Sequence, residues 1–226
     1  MAASRSARRR TVALHLAGQL GTGAGAGYQP YALDATMALL HAGLDDPVLA
    51  VRQAAAAGLG HRPHPDALPK LVREAYSSSW KMRFHVACAL GRYKEPKAAE
   101  ALLILLQDPD STVRDWATFS LGTLLEGLDS PAIRDGMARQ LTGADPMVRG
   151  EGLVGLALRQ DERAALHLRQ HLGMEEAEYE FSALAALAKA GRLPDWALLP
   201  SSWPVDAAWR CARLRERLAP SEDREP

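Results

Sequence analysis

The stretch DPDSTVRDWATFSLG, residues 108–122, decides the fold because most of its pattern recurs along the chain. Its ten-residue core, VRDWATFSLG (113–122), has an apolar first residue, a small or apolar fifth residue and a leucine in the ninth position. The stretch is therefore one copy of a repeated structural unit rather than a signature of chemistry. Four other segments share these features: VRQAAAAGLG (51–60), MRFHVACALG (82–91), VRGEGLVGLA (148–157) and YEFSALAALA (179–188).

The copies are regularly spaced along the chain. Their first residues lie 31, 31, 35 and 31 positions apart. A degenerate copy, VALHLAGQLG (12–21), begins 39 residues before the copy at residue 51, and the Gly-rich stretch GTGAGAG (21–27) accounts for the extra length. Five copies in near-constant register are a strong signal of an internal repeat.

Amphipathic segments fill the spaces between the copies. Their apolar residues recur at steps of three and four, which is the period of an α-helix. Several begin with a Ser-Pro, Glu-Pro or His-Pro pair, which is typical of an N-cap followed by proline in the first helical turn. Each unit therefore predicts a helical hairpin, with an intervening segment as its first helix. These segments are PYALDATMALLHAGL (30–44), HPDALPKLVREAY (64–76), EPKAAEALLILLQ (95–107), SPAIRDGMARQL (130–141) and ERAALHLRQHL (162–172).

A hairpin of this size cannot bury its apolar side alone, whereas stacked hairpins share a continuous core. The sequence thus predicts an all-α fold, a right-handed α-solenoid of about six hairpins. We expect one solenoid over residues 1–219, with a capping half-repeat and Gly-rich loop at residues 1–28 and a C-terminal cap at residues 192–219. Residues 220–226 are predicted to form a flexible tail.

Two turns carry a family resemblance. The pattern Asp-Pro, three residues and Val-Arg occurs at residues 46–52 and 108–114. In this pattern the chain resembles HEAT-repeat proteins, of the short bacterial type grouped with phycobilisome-lyase-like repeats, over roughly residues 12–190. The resemblance implies HEAT-like hairpins in which an Asp-Arg ladder ties the turn of one repeat to the next inner helix. The ladder residues would be Asp46, Arg52, Asp108 and Arg114.

Three of the five expected rungs depart from this pattern. Position 77 is Ser where Asp is expected, and Asp145 lies only four residues before Arg149. Position 180 is Glu where Arg is expected. The ladder is therefore predicted to break at these three places while the helix stack continues.

The second helix of each hairpin has two distinct sides. We number each one from its first apolar residue as position 0 and advance about 100° per residue. Positions 0, 4, 7 and 8 lie on the predicted core side, and positions 2 and 6 lie opposite, on what we call the open side. The core residues are Val51, Ala55, Leu59, Val113, Ala117, Leu121, Val148 and Leu156. The open side holds Gln53, Ala57, Phe84, Cys88, Asp115, Phe119, Gly150, Val154, Phe181 and Ala185.

The open side contains the candidate partner-binding residues. All three phenylalanines of the chain fall on it, and position 3 at its flank adds a histidine, a tryptophan and a glutamate. In HEAT arrays the second helices line the concave surface, so the resemblance implies a groove with aromatic rings beside carboxylates. An exposed aromatic patch is typical of a binding site. The predicted site residues are Phe84, His85, Asp115, Trp116, Phe119 and Glu151.

A purely structural interpretation of the same residues stays open. Neighbouring inner helices touch sideways, so the Trp and Phe rings could wedge between repeats. Asp115 and Glu151 could cap a helix or pair with a nearby arginine. Either outcome would leave the chain without a groove of this kind.

Charge and cysteine content argue against several classes of protein. Lys plus Arg and Asp plus Glu both number 27, so the chain lacks the basic excess that phosphate binding requires, which argues against nucleic acid. Cys88 and Cys211 form no paired motif and indicate reduced thiols in a cytoplasmic protein. No apolar run approaches the ~18 residues of a membrane span. The N-terminus imitates a signal peptide, but His15 and Gln19 interrupt its apolar run.

Signatures of catalysis and metal binding are weak. The Gly-rich stretch lacks the Lys-Ser/Thr of a P-loop, and no GxSxG occurs. His167 and His171 are four residues apart, a spacing that can hold a metal, but no third ligand is evident, and two surface histidines are the other interpretation. HEAT-like enzymes known in this architecture use His-Glu dipeptides or a Trp, Asp and Arg set, and neither pattern is met here. We predict no catalytic residue, no metal and no cofactor.

We interpret the chain as a non-enzymatic scaffold or adaptor that holds a protein or an extended peptide in its concave groove. A solenoid offers a preformed surface, so little ordering entropy opposes binding. Asp115 and Glu151 would select a basic partner, and a toxin-neutralising or an assembly role both fit. The alternative is a DNA-lesion or chromophore-handling enzyme on the same scaffold. The identity of the partner and the oligomeric state stay open.

Overall fold

The computed structural model describes residues 4–20, 31–171 and 177–192. Within these residues the chain forms eleven α-helices and no strand, which confirms the all-α helical-repeat fold. The helices are α1 (Ala7–Gln19), α2 (Leu33–Gly43), α3 (Leu49–His61), α4 (Leu68–Glu74), α5 (Trp80–Leu90), α6 (Pro96–Leu105), α7 (Ser111–Phe119), α8 (Pro131–Gln140), α9 (Pro146–Leu158), α10 (Glu162–His171) and α11 (Ala177–Lys189).

The helices pair as the repeat predicts. Each hairpin consists of an outer helix followed by an inner helix, and α1 is an inner helix alone. The successive hairpins are α2 with α3, α4 with α5, α6 with α7, α8 with α9 and α10 with α11. Packing divides the chain into two compact units, with the boundary in the sequence between Leu128 and Asp129. The single solenoid over residues 1–219 stays a prediction. The tail, most of the C-terminal cap and the Gly-rich stretch lie outside the described residues.

Polar caps and prolines fix where several helices begin. The Asp110 carboxylate accepts hydrogen bonds from the backbone N–H groups of Thr112 and Val113 at the start of α7. Ser130 caps α8 and Asp145 caps α9 in the same way, and each is followed by a proline in the first turn. These caps satisfy N–H groups that have no partner inside the helix.

The core follows the predicted sides of the inner helices. Every predicted core residue is at most 2% exposed, which confirms that assignment. In the first unit the inner helices α1, α3, α5 and α7 pack side by side in chain order. Gly18 and Gly58 let α1 and α3 approach closely, since a Cβ on Gly18 would lie 2.6 Å from the Gly58 Cα.

The last turn of α7 departs from α-helical geometry. Residues Ser120–Leu124 form a π-turn, in which the Leu125 N–H donates to the Ser120 carbonyl over 3.0 Å. The buried Ser120 hydroxyl donates to the Ala87 carbonyl of α5 over 2.9 Å. The turn thereby ties α7 to α5, and such π-turns often occur near functional residues.

Candidate partner-binding surface

Three aromatic side chains form a continuous row across α5 and α7. The Trp116 ring lies edge-on to the Phe84 ring, with centroids 5.9 Å apart, and edge-on to the Phe119 ring at 5.7 Å. Trp116 is 36% exposed, and the two phenylalanines are half-buried. We call Phe84, Trp116 and Phe119 the aromatic strip. Edge-to-face pairs add about 0.5–1.5 kcal/mol beyond the burial of area, so the rings hold one another in place.

The strip partly fits the wedge interpretation as well. Trp116 contacts a ring from the neighbouring inner helix, as a residue wedged between repeats would. However, more than a third of its surface stays open to solvent. The ring is thus positioned by its neighbours and still accessible.

Polar groups surround the strip on the same two helices. His85 lies 5.0 Å from Phe84 between ring centroids, and burial lowers the pKa of its imidazole, with a further contribution from the charge of His15 on α1. Burial raises the pKa of the Cys88 thiol to about 12, and the charge of the Asp115 carboxylate adds to this shift. The thiol is therefore uncharged at neutral pH. The field from Asp115 makes this part of the surface favourable for cations.

In the second unit the open side is buried, so the prediction that it faces away from the core was wrong there. Gly150 and Val154 on α9 occupy positions 2 and 6, but both are buried. A Cβ on Gly150 would overlap the ring of Tyr179, because α11 packs directly onto this side of α9. Glycine inside a helix is the sequence signal for such a close approach.

The remaining predicted site residue belongs to that second unit. Glu151 lies on α9 and is half-buried. Phe84, His85, Asp115, Trp116 and Phe119 all lie in the first unit, so the structure brings together these five residues only. The side chain of Phe181 lies outside the described atoms.

Two of the predicted ladder residues, Asp46 and Asp108, each form an ion pair with an arginine of the preceding inner helix. Arg10 on α1 binds the Asp46 carboxylate through two nitrogens at 2.6 and 2.9 Å. Arg83 on α5 binds the Asp108 carboxylate in the same forked way at 2.5 and 2.9 Å. Each carboxylate precedes the next inner helix, so every rung joins one repeat to the following one. Such forked pairs are among the stronger hydrogen-bonded contacts in proteins.

An arginine near the start of each of four inner helices, α3, α5, α7 and α9, also binds the turn that precedes its own helix. Arg52, Arg83, Arg114 and Arg149 each donate to the carbonyl oxygen six residues earlier, at 2.7–3.0 Å. This contact does not depend on the side chain at that earlier position. The contact therefore persists at Ser77 and in the turn before Arg149, whereas the predicted breaks concern the Asp-Arg ladder and stay a prediction.

Two ladder residues were missed by the sequence reasoning. The repeat at the N-terminus was aligned on Val12, whereas Arg10 holds the position of the ladder arginine. Glu74 at the end of α4 takes the place of the missing carboxylate at position 77, with its Oε1 atom 3.2 Å from Arg52 Nε. A search for any carboxylate within one turn of position 77 would have found it.

The histidine pair on α10 forms a stack. The His167 and His171 rings lie 4.4 Å apart at 21°, and His167 is buried. Within the described ranges no three His, Cys, Asp or Glu side chains are placed to hold a metal ion. No helix among the described residues is long and apolar enough to cross a membrane.

Comparison with known proteins shows what part of the chain is similar to. Residues 37–122 match the family described as HEAT repeats. Protein YibA of Escherichia coli K12 is 29% identical over 141 residues, which make up 61% of this chain and 48% of YibA. The chain thus spans about half the length of that relative.

Solved structures share the fold. The X-ray structure of Escherichia coli YibA matches with a TM-score of 0.66 at 23% identity, over 97% of this chain and 79% of YibA. Armadillo repeat proteins designed for modular peptide recognition match with a TM-score of 0.54 at 17% identity, over 95% of both chains. Residues 37–122, which include α3 to α7, are thus similar to HEAT repeats, and the solved structures show that the chain has a helical-repeat fold.

Proposed function

We propose that the chain is a protein-binding scaffold whose aromatic strip anchors an extended, basic peptide segment of a partner. The observation that carries the proposal is the row of three rings across two inner helices, with Trp116 open to solvent and fixed by two edge-on contacts. Rigid aromatic side chains contribute strongly to interfaces because they lose little entropy on binding.

The chemistry of the surface favours a basic segment. Trp, Tyr and Phe faces attract ammonium and guanidinium groups, and the nearby Asp115 carboxylate adds a negative field. A preformed helical-repeat surface needs no ordering of its own, so an extended peptide bears most of the entropy loss. The designed proteins of the same fold are described as recognising peptides modularly.

A display experiment on the full chain tests this proposal. A library of random peptides of about 12 residues, long enough to span two inner helices, is panned on the wild-type chain. We expect the enriched sequences to carry Arg or Lys beside apolar residues. A labelled peptide from this set is then titrated with purified variants by fluorescence anisotropy.

Matched variants decide the outcome. Trp116→Ala should weaken binding about tenfold or more, as truncation of an aromatic anchor does. Ile104→Ala, on the outer helix α6 and 44% exposed, should leave the affinity unchanged. If Trp116→Ala and Ile104→Ala bind the selected peptides as the wild type does, the strip is not the binding site.

A further inference from the structure

The N-terminal helix α1 leaves a row of apolar side chains in solvent. Val12, Leu16 and Leu20 are 43%, 55% and 40% exposed. They are four residues apart, a spacing that keeps them on one side of a helix. We call these three residues the end row. Single exposed apolar residues are common on protein surfaces, but a contiguous row indicates an interaction surface.

The equivalent side of the next inner helix is buried. Counted from the ladder arginines Arg10 and Arg52, Leu16 corresponds to Gly58. Gly58 lies against Gly18 of α1 and against the Leu40 side chain of α2. This side of an inner helix therefore packs on the preceding elements of the stack. On α1 the end row is exposed instead, and among the described residues no helix precedes it.

Three arginines extend the end row toward the start of the helix. Arg8 lies four residues before Val12 and continues its line, and Arg5 and Arg9 flank it. All three are exposed, and none forms an ion pair within the described part of the chain. The first turn of α1 holds no acidic residue, and its N-cap makes no side-chain hydrogen bond. This end of the helix is thus strongly electropositive, because the helix dipole adds to the three charges.

We propose that the end row binds an amphipathic helix of a partner protein that carries carboxylates beside its apolar stripe. Such a helix would occupy the side of α1 that the preceding element occupies on α3. Its apolar residues would cover Val12, Leu16 and Leu20, and its carboxylates would pair with Arg8 and Arg9. Recognition of a helix through anchors one turn apart needs only a narrow row of this kind. The proposal goes beyond the peptide site on the aromatic strip, since it uses a different surface and the opposite charge.

A second copy of this chain fits the row less well. It would bring the same arginines to the interface and no carboxylate to meet them. Three partly exposed side chains also fall far short of the ~800 Å² that each partner buries in a stable interface, so charge complementarity has to contribute. The Arg-rich segment at residues 205–219 carries the wrong sign for the same reason.

Two synthetic peptides test the proposal on the full chain. Both form an amphipathic helix with leucines one turn apart, and one carries Glu and the other Lys beside the leucines. Binding is followed by fluorescence anisotropy of a label on the peptide. We expect the Glu peptide to bind at least about tenfold more tightly than the Lys peptide.

Variants of the end row locate the site. Leu16→Glu and the double variant Arg8→Glu with Arg9→Glu should each weaken binding of the Glu peptide about tenfold or more. These side chains are exposed, so the variants should keep the wild-type circular dichroism spectrum and melting temperature. Leu166→Glu is the matched control, because Leu166 on α10 is also 55% exposed, and it should bind as the wild type does.

The proposal is overturned by any of three results. The first is equal affinity for the Glu and Lys peptides, and the second is wild-type affinity of Leu16→Glu for the Glu peptide. In the third, the wild-type chain sediments as a dimer that Leu16→Glu dissociates, which would assign the end row to a second copy. Trp116→Ala separates this site from the peptide site, since it should leave the affinity for the Glu peptide unchanged.

Discussion

Two pairs of neighbouring inner helices, α5 with α7 and α9 with α11, share the same repeat pattern but differ in the burial of their open side. In the first unit this side carries Phe84 and Phe119, which are half-buried. In the second unit it carries Gly150, and Tyr179 from the next inner helix covers it. The repeat pattern thus sets the hairpin, whereas single residues at positions 2 and 6 decide whether the surface is open or closed.

The ion pairs of the two units differ in burial. In the first unit Arg83 and Asp108 have side chains that are 13% and 3% exposed. In the second unit Arg163, with a side chain 38% exposed, binds Asp135, which is 57% exposed, and Asp161, which is 7% exposed. The same two residue types therefore form an internal rung in one unit and a partly exposed network in the other.

Removal of the buried arginine should have the largest effect on stability. Arg83→Met removes the guanidinium that donates two hydrogen bonds to the buried Asp108 carboxylate. We expect the free energy of unfolding to fall by about 3 kcal/mol, as when one partner of a buried ion pair is removed. Urea unfolding followed by circular dichroism measures the change. Lys70→Met is the control, and because the side chain of its partner Asp45 is 56% exposed, it should cost about 1 kcal/mol or less.

The pH dependence of this effect has a definite sign. Burial alone would raise the pKa of Asp108, but hydrogen bonds from Arg83 and from the Asp110 N–H outweigh it and lower that pKa. The pair therefore stabilises the fold above the ordinary carboxyl pKa of about 3.9, and this contribution is lost as the pH falls through the lowered value. The difference between wild type and Arg83→Met should be largest at neutral pH and shrink in acid. A constant difference down to about pH 3 would rule out the ion pair as its cause.

A single methyl group tests the closed side of the second unit. Gly150→Ala places a Cβ into the ring of Tyr179, so α9 and α11 have to separate or the ring has to move. We expect a loss of about 1–2 kcal/mol in the free energy of unfolding, as for other overpacked sites. Gly127→Ala is the matched control, since nothing lies within 4 Å of a Cβ there, and its effect should be negligible. Equal effects of the two variants would show that the contact with Tyr179 does not matter.

The helices and the core could be predicted from the sequence because apolar residues that recur with the helical period form one side of a helix, and that side packs on the core. Leu59 and Leu121 are buried because they fall on the apolar side of an amphipathic helix, and this needs no knowledge of neighbours. The closure of the open side depends instead on Tyr179, which reaches Gly150 from the next repeat. The rung at Arg10 was missed because α1 was aligned on Val12, which is exposed in this helix. Surfaces are thus harder to predict than cores, since contacts between repeats determine them.

Restoration of the missing carboxylate at position 77 should have the smallest effect and sharpens the same comparison. Ser77 already sits in the turn as Asp108 does, because its hydroxyl accepts a hydrogen bond from the N–H two residues later at 3.4 Å, as the Asp108 carboxylate does at 3.0 Å. Ser77→Asp should therefore keep the turn and offer a carboxylate to Arg52 on the preceding inner helix. Because Arg52 is already paired with Glu74 at 3.2 Å, the gain should be only about 0.5 kcal/mol. In a Glu74→Gln background the same change should stabilise the chain more, since the new carboxylate then replaces the lost partner. An equal gain in both backgrounds, measured by urea unfolding, would mean that position 77 does not face Arg52 and that the ladder does not extend through this turn.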